Sequence, residues 1–124
     1  MTRRFGGILV LTLALAGPAL AQTGAPGDPT AGEDDFQGQC GICHVSEGGG
    51  QGPSLVGVYG RKSGTASDFS YSEAMKSAGI TWTETSLDPY LANPQKAVPG
   101  SAMPYAVADP KTRADVIAYL KTLK

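Results

Sequence analysis

The spacing of apolar residues along the chain predicts helices joined by long turns. Near the C-terminus, apolar residues recur at the spacing of a single helix face: Val116, Ile117, Leu120 and Leu123. Asp109 and Pro110 lie just before them, and these residue types favour the N-cap and the first position of a helix. A first helix is expected to begin near residues 30–32 and to turn Phe36 inward. We expect the C-terminal stripe to pack against the face that carries Phe36.

Two further helices are expected in the middle of the chain. Residues 71–78 have the composition of a short helix that Gly79 would end. Another helix is indicated by three apolar residues at helical spacing: Leu87, Tyr90 and Leu91. Ser86 is its predicted N-cap, Pro89 would lie in its first turn, and the Asn-Pro pair at 93–94 would end it.

The segments between these helices are predicted to be irregular. Residues 46–53 contain four glycines, and residues 55–70 alternate small apolar residues with glycine and two bases. The segment 98–104, called the Met103 strap below, contains prolines and lacks helical periodicity. The chain is therefore expected to be all-α with long loops.

The N-terminal residues have the pattern of a secretory signal peptide. A basic pair at 3–4 precedes an apolar run over 8–16, and a Gly-Pro break leads to small residues at 19–21. Cleavage is predicted after Ala21. The apolar run is shorter than the ~20 residues that a membrane-spanning helix needs, so an uncleaved anchor is the weaker of the two interpretations.

After cleavage, residues 22–31 are expected to form a flexible lead-in and residues 32–124 a single domain. Without the basic pair of the leader, eight basic residues face eleven acidic ones, which gives a formal charge of −3. This balance argues against nucleic acid as a partner. A domain of about one hundred residues has a thin hydrophobic core of its own, which a buried cofactor would enlarge.

The segment 40–44, called the Cys-His motif below, has the spacing of covalent haem attachment: Cys40-Gly41-Ile42-Cys43-His44. Each thiol would add to one vinyl group of the porphyrin, and His44 would become an axial ligand of the iron. A structural zinc site needs about four nitrogen or sulfur ligands, but the chain has two cysteines and one histidine. A thioredoxin-like pair would need a strand-helix-strand pattern nearby, but the flanking residues are glycine-rich and contain no strand pattern. A chance match or a short-range disulfide stays open at this point.

With a single histidine, methionine or lysine has to supply the second axial ligand, or the position stays open. Met1 would leave with the leader, so the methionine candidates are Met75 and Met103. A thioether has little packing role in the Met103 strap, whereas Met75 has the helical spacing of a core residue. We therefore predict that His44 and Met103 bind the iron. A six-coordinate iron has no position for a substrate, so electron transfer is expected rather than enzyme activity.

A series of short motifs runs in order through residues 32–124. They are Gly32 with Phe36, followed by segments 40–44, 52–55, 59–64, 69–72, 79–82, 90–94 and 99–103. Together they resemble class I cytochrome c of the mitochondrial and bacterial c2 type. The resemblance implies the cytochrome c fold, in which the N- and C-terminal helices pack together around one haem c. It also implies covalent attachment of that haem through Cys40 and Cys43.

The same resemblance implies roles for residues around the haem. The Pro53 carbonyl would accept a hydrogen bond from the second ring nitrogen of His44. Three residues match the family positions that hold the haem propionates: Arg61, Tyr71 and Trp82. Tyr90 matches the tyrosine that hydrogen-bonds near the methionine sulfur. The alternative for each is structural, as a solvated loop base for Arg61 and as core residues for the aromatics.

Two departures from the family pattern concern the residues around the haem. Met75 stands where many relatives have asparagine, and Ala102 stands where relatives have lysine. The chain also lacks most of the lysines that mitochondrial members present to their partners. Strong electrostatic steering onto an acidic partner is therefore not expected.

Together these features predict a soluble, monomeric, periplasmic protein that carries one electron between redox proteins. The family suggests a cytochrome bc1-type donor and, as acceptor, a terminal oxidase or a photosynthetic reaction centre. Stable membrane insertion is not expected after signal cleavage. Two alternatives stay open: a haem protein whose iron becomes accessible on loss of Met103, and a fixed subunit of a periplasmic dehydrogenase.

Overall fold

The structure is a computed structural model that describes residues 25–124. The predicted signal peptide and the cleavage site after Ala21 lie outside the described residues. Within the described range the chain forms helices and no strand, in the order α1 (Pro29–Gln39), α2 (Glu73–Ser77), α3 (Glu84–Ala92), α4 (Pro94–Ala97) and α5 (Pro110–Leu120). None of these helices is long and apolar enough to span a membrane. The all-α prediction is confirmed.

The helices α1 and α5 begin with the same capping arrangement. Each starts on a proline that follows an aspartate N-cap, Asp28 before Pro29 and Asp109 before Pro110. Each aspartate carboxylate accepts a hydrogen bond from a backbone N–H in the first turn, which would otherwise lack a partner. The predicted start of α5 is confirmed. The start of α1 lies slightly earlier than predicted, so the last residues of the expected lead-in are helical.

The first and last helices pack against each other, as their apolar faces predicted. Three of the four residues of the predicted stripe are buried in α5: Val116, Ile117 and Leu120. The fourth, Leu123, is partly buried but lies beyond the end of α5. From α1, the Phe36 ring lies 5.3 Å from the ring of Tyr119, with the planes tilted by 53°. The sequence pattern did not indicate the contact with Tyr119.

A glycine allows α1 to approach α5 this closely. A Cβ atom at Gly32 would lie 1.9 Å from the backbone oxygen of Asp115 and 3.0 Å from Cβ of Tyr119. A backbone oxygen inside a helix cannot move aside as the end of a flexible side chain can, so any larger residue at position 32 would push the two helices apart.

A buried carboxylate fastens the start of α1 to α5. Asp115 is 4% exposed, and its carboxylate accepts hydrogen bonds from Lys111 Nζ at 2.6 Å and from Asp28 N at 2.7 Å. The hydrogen bond from Lys111, followed by that from Asp28, holds the pKa of Asp115 below its usual range. Both donors stabilise the charged form of the carboxylate more than burial disfavours it.

The helix α3 begins one turn earlier than predicted. Its N-cap is Thr83, and Ser86 is its third residue. From there Ser86 Oγ accepts a hydrogen bond from Thr83 N at 2.9 Å and donates one to the Thr81 carbonyl at 2.7 Å. The prediction of Ser86 as N-cap was therefore wrong, because serine can also satisfy the helix start from the third position. As a result Pro89 lies inside the helix, not in its first turn.

The two short helices α2 and α4 both start on side-chain caps. In α2, which corresponds to the helix predicted before Gly79, Ser72 Oγ accepts a hydrogen bond from Met75 N at 3.2 Å. In α4, Asn93 Oδ1 accepts one from Lys96 N at 3.0 Å. The Asn-Pro pair ends α3 as predicted, and the same pair starts α4, which was not predicted.

The close crossing of α1 and α5 gives a matched pair of stability predictions. Gly32→Ala is expected to lower the free energy of unfolding by about 3 kcal/mol, because the new methyl group meets backbone atoms. Gly38→Ala, in the same helix, places its methyl where nothing lies within 4 Å. That variant is expected to be neutral or to stabilise by up to ~1 kcal/mol. Urea unfolding of both proteins measures the difference, and equal effects would contradict the packing described.

The carboxylate of Asp115 predicts a pH-dependent effect. At pH 7, Asp115→Asn is expected to lower the free energy of unfolding by about 1–2 kcal/mol, since it removes a charged acceptor. Because the folded-state pKa lies below the unfolded value of about 3.9, the stabilisation is complete above that value and is lost as the pH falls through the folded-state pKa. Urea unfolding at pH 7 and at pH 3 should show the gap between the two proteins narrowing in acid. A constant gap would refute this role.

Candidate haem site

The Cys-His motif lies directly at the end of α1. Cys40 is the C-cap of this helix, and its carbonyl accepts hydrogen bonds from Cys43 N at 3.1 Å and His44 N at 2.9 Å. Both cysteines are free thiols, Cys40 buried and Cys43 half-buried. Burial raises the pKa of the Cys40 thiol, with smaller contributions from Asp35 and Cys43, so this thiol is protonated at neutral pH.

The ring of His44 is held by residues 46–53, called the glycine-rich loop below. Its Nδ1 lies 2.8 Å from the Pro53 carbonyl oxygen. A carbonyl only accepts, so Nδ1 carries the hydrogen and donates it, which leaves the lone pair of Nε2 free. The loop passes against the ring: a Cβ atom at Gly52 would lie 2.6 Å from His44 Cε1. Only glycine fits at this position without moving the ring.

These groups fit a covalently attached haem. Two free thiols separated by two residues can form two thioether links, and Nε2 of the adjacent imidazole is left available to bind iron. The packed Gly52 and the Pro53 carbonyl fix the orientation of that imidazole. The residues of the Cys-His motif thus offer the donor set that a c-type haem requires.

The Met103 strap is held at its inner side by a buried serine. Ser101 is 6% exposed, and its Oγ is hydrogen-bonded to Tyr90 Oη at 2.9 Å. The same Oγ accepts a hydrogen bond from Met103 N at 3.4 Å. Met103 is half-buried and packs against the apolar core. The sequence did not single out Ser101, and a buried serine in a non-helical segment has no signature of its own.

A second residue that the sequence did not single out holds the outer side of the strap. The side-chain amide of Gln95 donates hydrogen bonds to the carbonyl oxygens of Ser101 and Met103, at 2.5 Å and 3.2 Å. Gln95 lies on α4, which was not predicted. Without that helix, nothing in the sequence indicated where its side chain would point.

The two aromatic residues Trp82 and Tyr90 pack together in the core. Their ring centroids are 4.9 Å apart with planes tilted by 54°, and both rings are buried. Burial raises the pKa of Tyr90, partly opposed by its hydrogen bond with Ser101. Met75 is buried in the same apolar cluster, the position expected of a core methionine.

The other two residues of the predicted propionate set differ in their surroundings. Tyr71 is half-buried and lies edge-on to Phe69, with ring centroids 5.1 Å apart. Arg61 donates hydrogen bonds to the carbonyls of Val56 at 3.0 Å and Ser54 at 3.4 Å. Its guanidinium therefore fixes the loop that follows Pro53. A backbone hydrogen bond from Trp82 N to the Arg61 carbonyl, at 3.0 Å, brings Arg61 and Trp82 together.

Three side chains without a charge of their own lie beside the motif and just after the strap: Gln39, Ile42 and Tyr105. Ile42 is 84% exposed and Tyr105 is 44% exposed. The Tyr105 hydroxyl donates a hydrogen bond to Gln39 Oε1 at 2.9 Å. This contact joins the chain just after the Met103 strap to the end of α1. The surface formed by Gln39, Ile42 and Tyr105, called the edge surface below, presents amide, aliphatic and aromatic groups.

The chain was compared with known proteins. Residues 29–124 match the family model described as cytochrome c. A cytochrome c of Chlamydomonas reinhardtii is 52% identical over 99 residues, which cover 77% of this chain and 88% of that protein. A cytochrome c2 of Rhodopila globiformis is 49% identical over 102 residues, covering 80% and 96%. The solved structure of cytochrome cH from Methylobacterium extorquens superposes with a TM-score of 0.73 at 46% identity, covering 77% of this chain and 99% of that one.

Proposed function

Since the chain belongs to the cytochrome c family, we propose that it is a one-electron shuttle of the bacterial periplasm whose haem iron is bound by His44 and Met103. Covalently attached haem c and electron transfer follow from family membership. The hydrogen bond between His44 Nδ1 and the Pro53 carbonyl, beside two free thiols, carries the assignment of His44. The half-buried position of Met103 in a strap without helix or strand supports its assignment as the second ligand.

Each residue of the site has a separate task in this proposal. When bound, the haem supplies an iron couple that gains or loses one electron. Cys40 and Cys43 provide the two thioether links. The Pro53 carbonyl fixes the His44 tautomer and makes Nε2 a stronger donor. The soft thioether of Met103 favours the ferrous state and so raises the reduction potential.

The polar residues around the motif are assigned to the haem propionates and to the Met103 ligand. Carboxylates inside a small apolar domain need hydrogen-bond donors, and we assign this task to Arg61, Tyr71 and Trp82. Arg61 also has a structural role, because its guanidinium donates hydrogen bonds to the carbonyls of Ser54 and Val56 in the loop. We assign Tyr90 to the side of the haem where Met103 would bind. Its hydroxyl is hydrogen-bonded to Ser101 Oγ, which also accepts a hydrogen bond from Met103 N.

If His44 and Met103 both hold the iron, no position on it would be left for a substrate, so we assign the protein as a carrier and not as an enzyme. The leader pattern of residues 1–21 supports export and cleavage after Ala21. We propose a monomer, free of the membrane, that accepts electrons from a cytochrome bc1-type complex. It passes them to a terminal oxidase or a photosynthetic reaction centre.

The edge surface is the proposed docking site for these partners. It lies between the attachment motif and the strap, and Ile42 and Tyr105 are two of the three large apolar side chains that residues 25–124 expose. Because these side chains carry no charge, docking relies on apolar contact more than on electrostatic steering.

The ligand assignment predicts the optical spectrum of two methionine variants. Met103→Ala is expected to abolish the weak long-wavelength sulfur-to-iron band of the ferric protein and to lower the reduction potential. Met75→Leu should keep the band, because Met75 is buried in the core. Carbon monoxide should bind the ferrous Met103→Ala protein readily and the wild type poorly. Survival of the band in Met103→Ala would overturn the assignment of Met103 as a ligand. A pyridine haemochrome spectrum of the b type would overturn covalent attachment of the haem.

The docking proposal predicts a rate difference between two exposed aliphatic residues. Ile42→Ala is expected to slow electron transfer from a bc1-type complex about threefold to tenfold, the equivalent of ~1 kcal/mol of docking free energy. Val56→Ala is the matched control, because Val56 is 41% exposed but lines a polar cleft with Arg61 and Asp68. Stopped-flow rates should also change little with ionic strength. Equal rates for both variants, or a steep salt dependence, would contradict this surface.

A further inference from the structure

The Met103 strap has no regular structure to hold it in place. Residues 98–104 form neither helix nor strand, so their carbonyl groups lack the partners that a helix or sheet would supply. Two of these carbonyls, those of Ser101 and Met103, accept hydrogen bonds from the same side-chain nitrogen, Nε2 of Gln95. The amide therefore spans the residue between them and fixes the backbone at Met103.

The base from which Gln95 reaches the strap is itself fixed. Pro94 is buried, and the Asn93 side chain caps α4 through Lys96 N. At the other end of α4, Val98 N donates to the Pro94 carbonyl at 2.9 Å. Gln95 thus projects from a capped helix, and its amide links that helix to the strap.

The strap is held by one buried residue and one exposed residue. On the inner side, Ser101 Oγ binds the N–H of Met103 and the hydroxyl of Tyr90. On the outer side, Gln95 binds the carbonyl of Met103. Both polar groups of the Met103 backbone are therefore occupied, one by each residue.

We propose that Gln95 is a positioning residue that keeps the thioether of Met103 at the iron. This inference rests on the proposed function, in which Met103 is the axial ligand. A neutral amide suits the task because it supplies two donor hydrogens without placing a charge on the strap. A carboxylate of the same shape would instead face two carbonyl oxygens and donate nothing.

The inference is tested by how easily an added ligand replaces Met103. In haem-loaded ferric protein, Gln95→Glu is expected to raise the apparent affinity for imidazole by roughly tenfold, since two hydrogen bonds that hold the strap are lost. Gln37→Glu is the charge-matched control, on an exposed position of α1, and should leave the affinity unchanged. Spectrophotometric titration follows the loss of the sulfur-to-iron band.

A double variant separates this inference from the ligand assignment. In Met103→Ala protein, the added Gln95→Glu change should have no further effect on imidazole affinity, because there is no thioether left to position. If Gln95→Glu alone leaves the affinity unchanged while Met103→Ala raises it, Met103 is the ligand and the role of Gln95 is refuted. If Met103→Ala itself changes neither the band nor the affinity, the ligand assignment fails and the inference fails with it. An equal gain from Gln95→Glu in both backgrounds would show a general loosening of the fold.

Discussion

The fit of α1 against α5 is the constraint on which the rest of the structure depends. Gly32 lets the two backbones meet, and the buried Asp115 carboxylate fastens the first residue before α1 to the last helix. Because α1 ends at Cys40, this packing also fixes where the Cys-His motif enters the core. The packing of α1 against α5 thus sets where the proposed haem-attachment site begins, and the contacts of Gly52 and Pro53 orient His44 within it.

Between these two helices the chain relies on individual hydrogen bonds. The glycine-rich loop is held where Pro53 meets His44, and the Met103 strap is held by Ser101 and Gln95. A domain of this size buries a smaller fraction of its surface than a larger domain does. A covalently held apolar cofactor adds core that the chain could not supply from its own side chains, and the thioether links prevent its loss.

Local signals explain which parts of this structure could be predicted from the sequence. The end helices were predictable because periodicity and an Asp-Pro start lie within a few residues of each other, and the Cys-His motif is contiguous. Thr83 and Ser86 were not distinguishable, because both residue types satisfy backbone N–H groups at a helix start. The helix α4 is too short for periodicity to show. The contacts of Gln95 and Arg61 bridge five to eight residues of mostly irregular chain, whose path no short sequence pattern encodes.

The pairing of the first and last helices also sets an order of events during biosynthesis. As the chain emerges from its N-terminal end, α1 and the Cys-His motif appear long before α5 exists to cover them. The contacts between α1 and α5 join the two ends of the domain, so they cannot form before the last helix has been synthesised. During this interval α5 cannot cover the end of α1, where the thiols of Cys40 and Cys43 lie. Haem attachment can precede folding, and the attached porphyrin can then serve as the surface on which the remaining loops assemble.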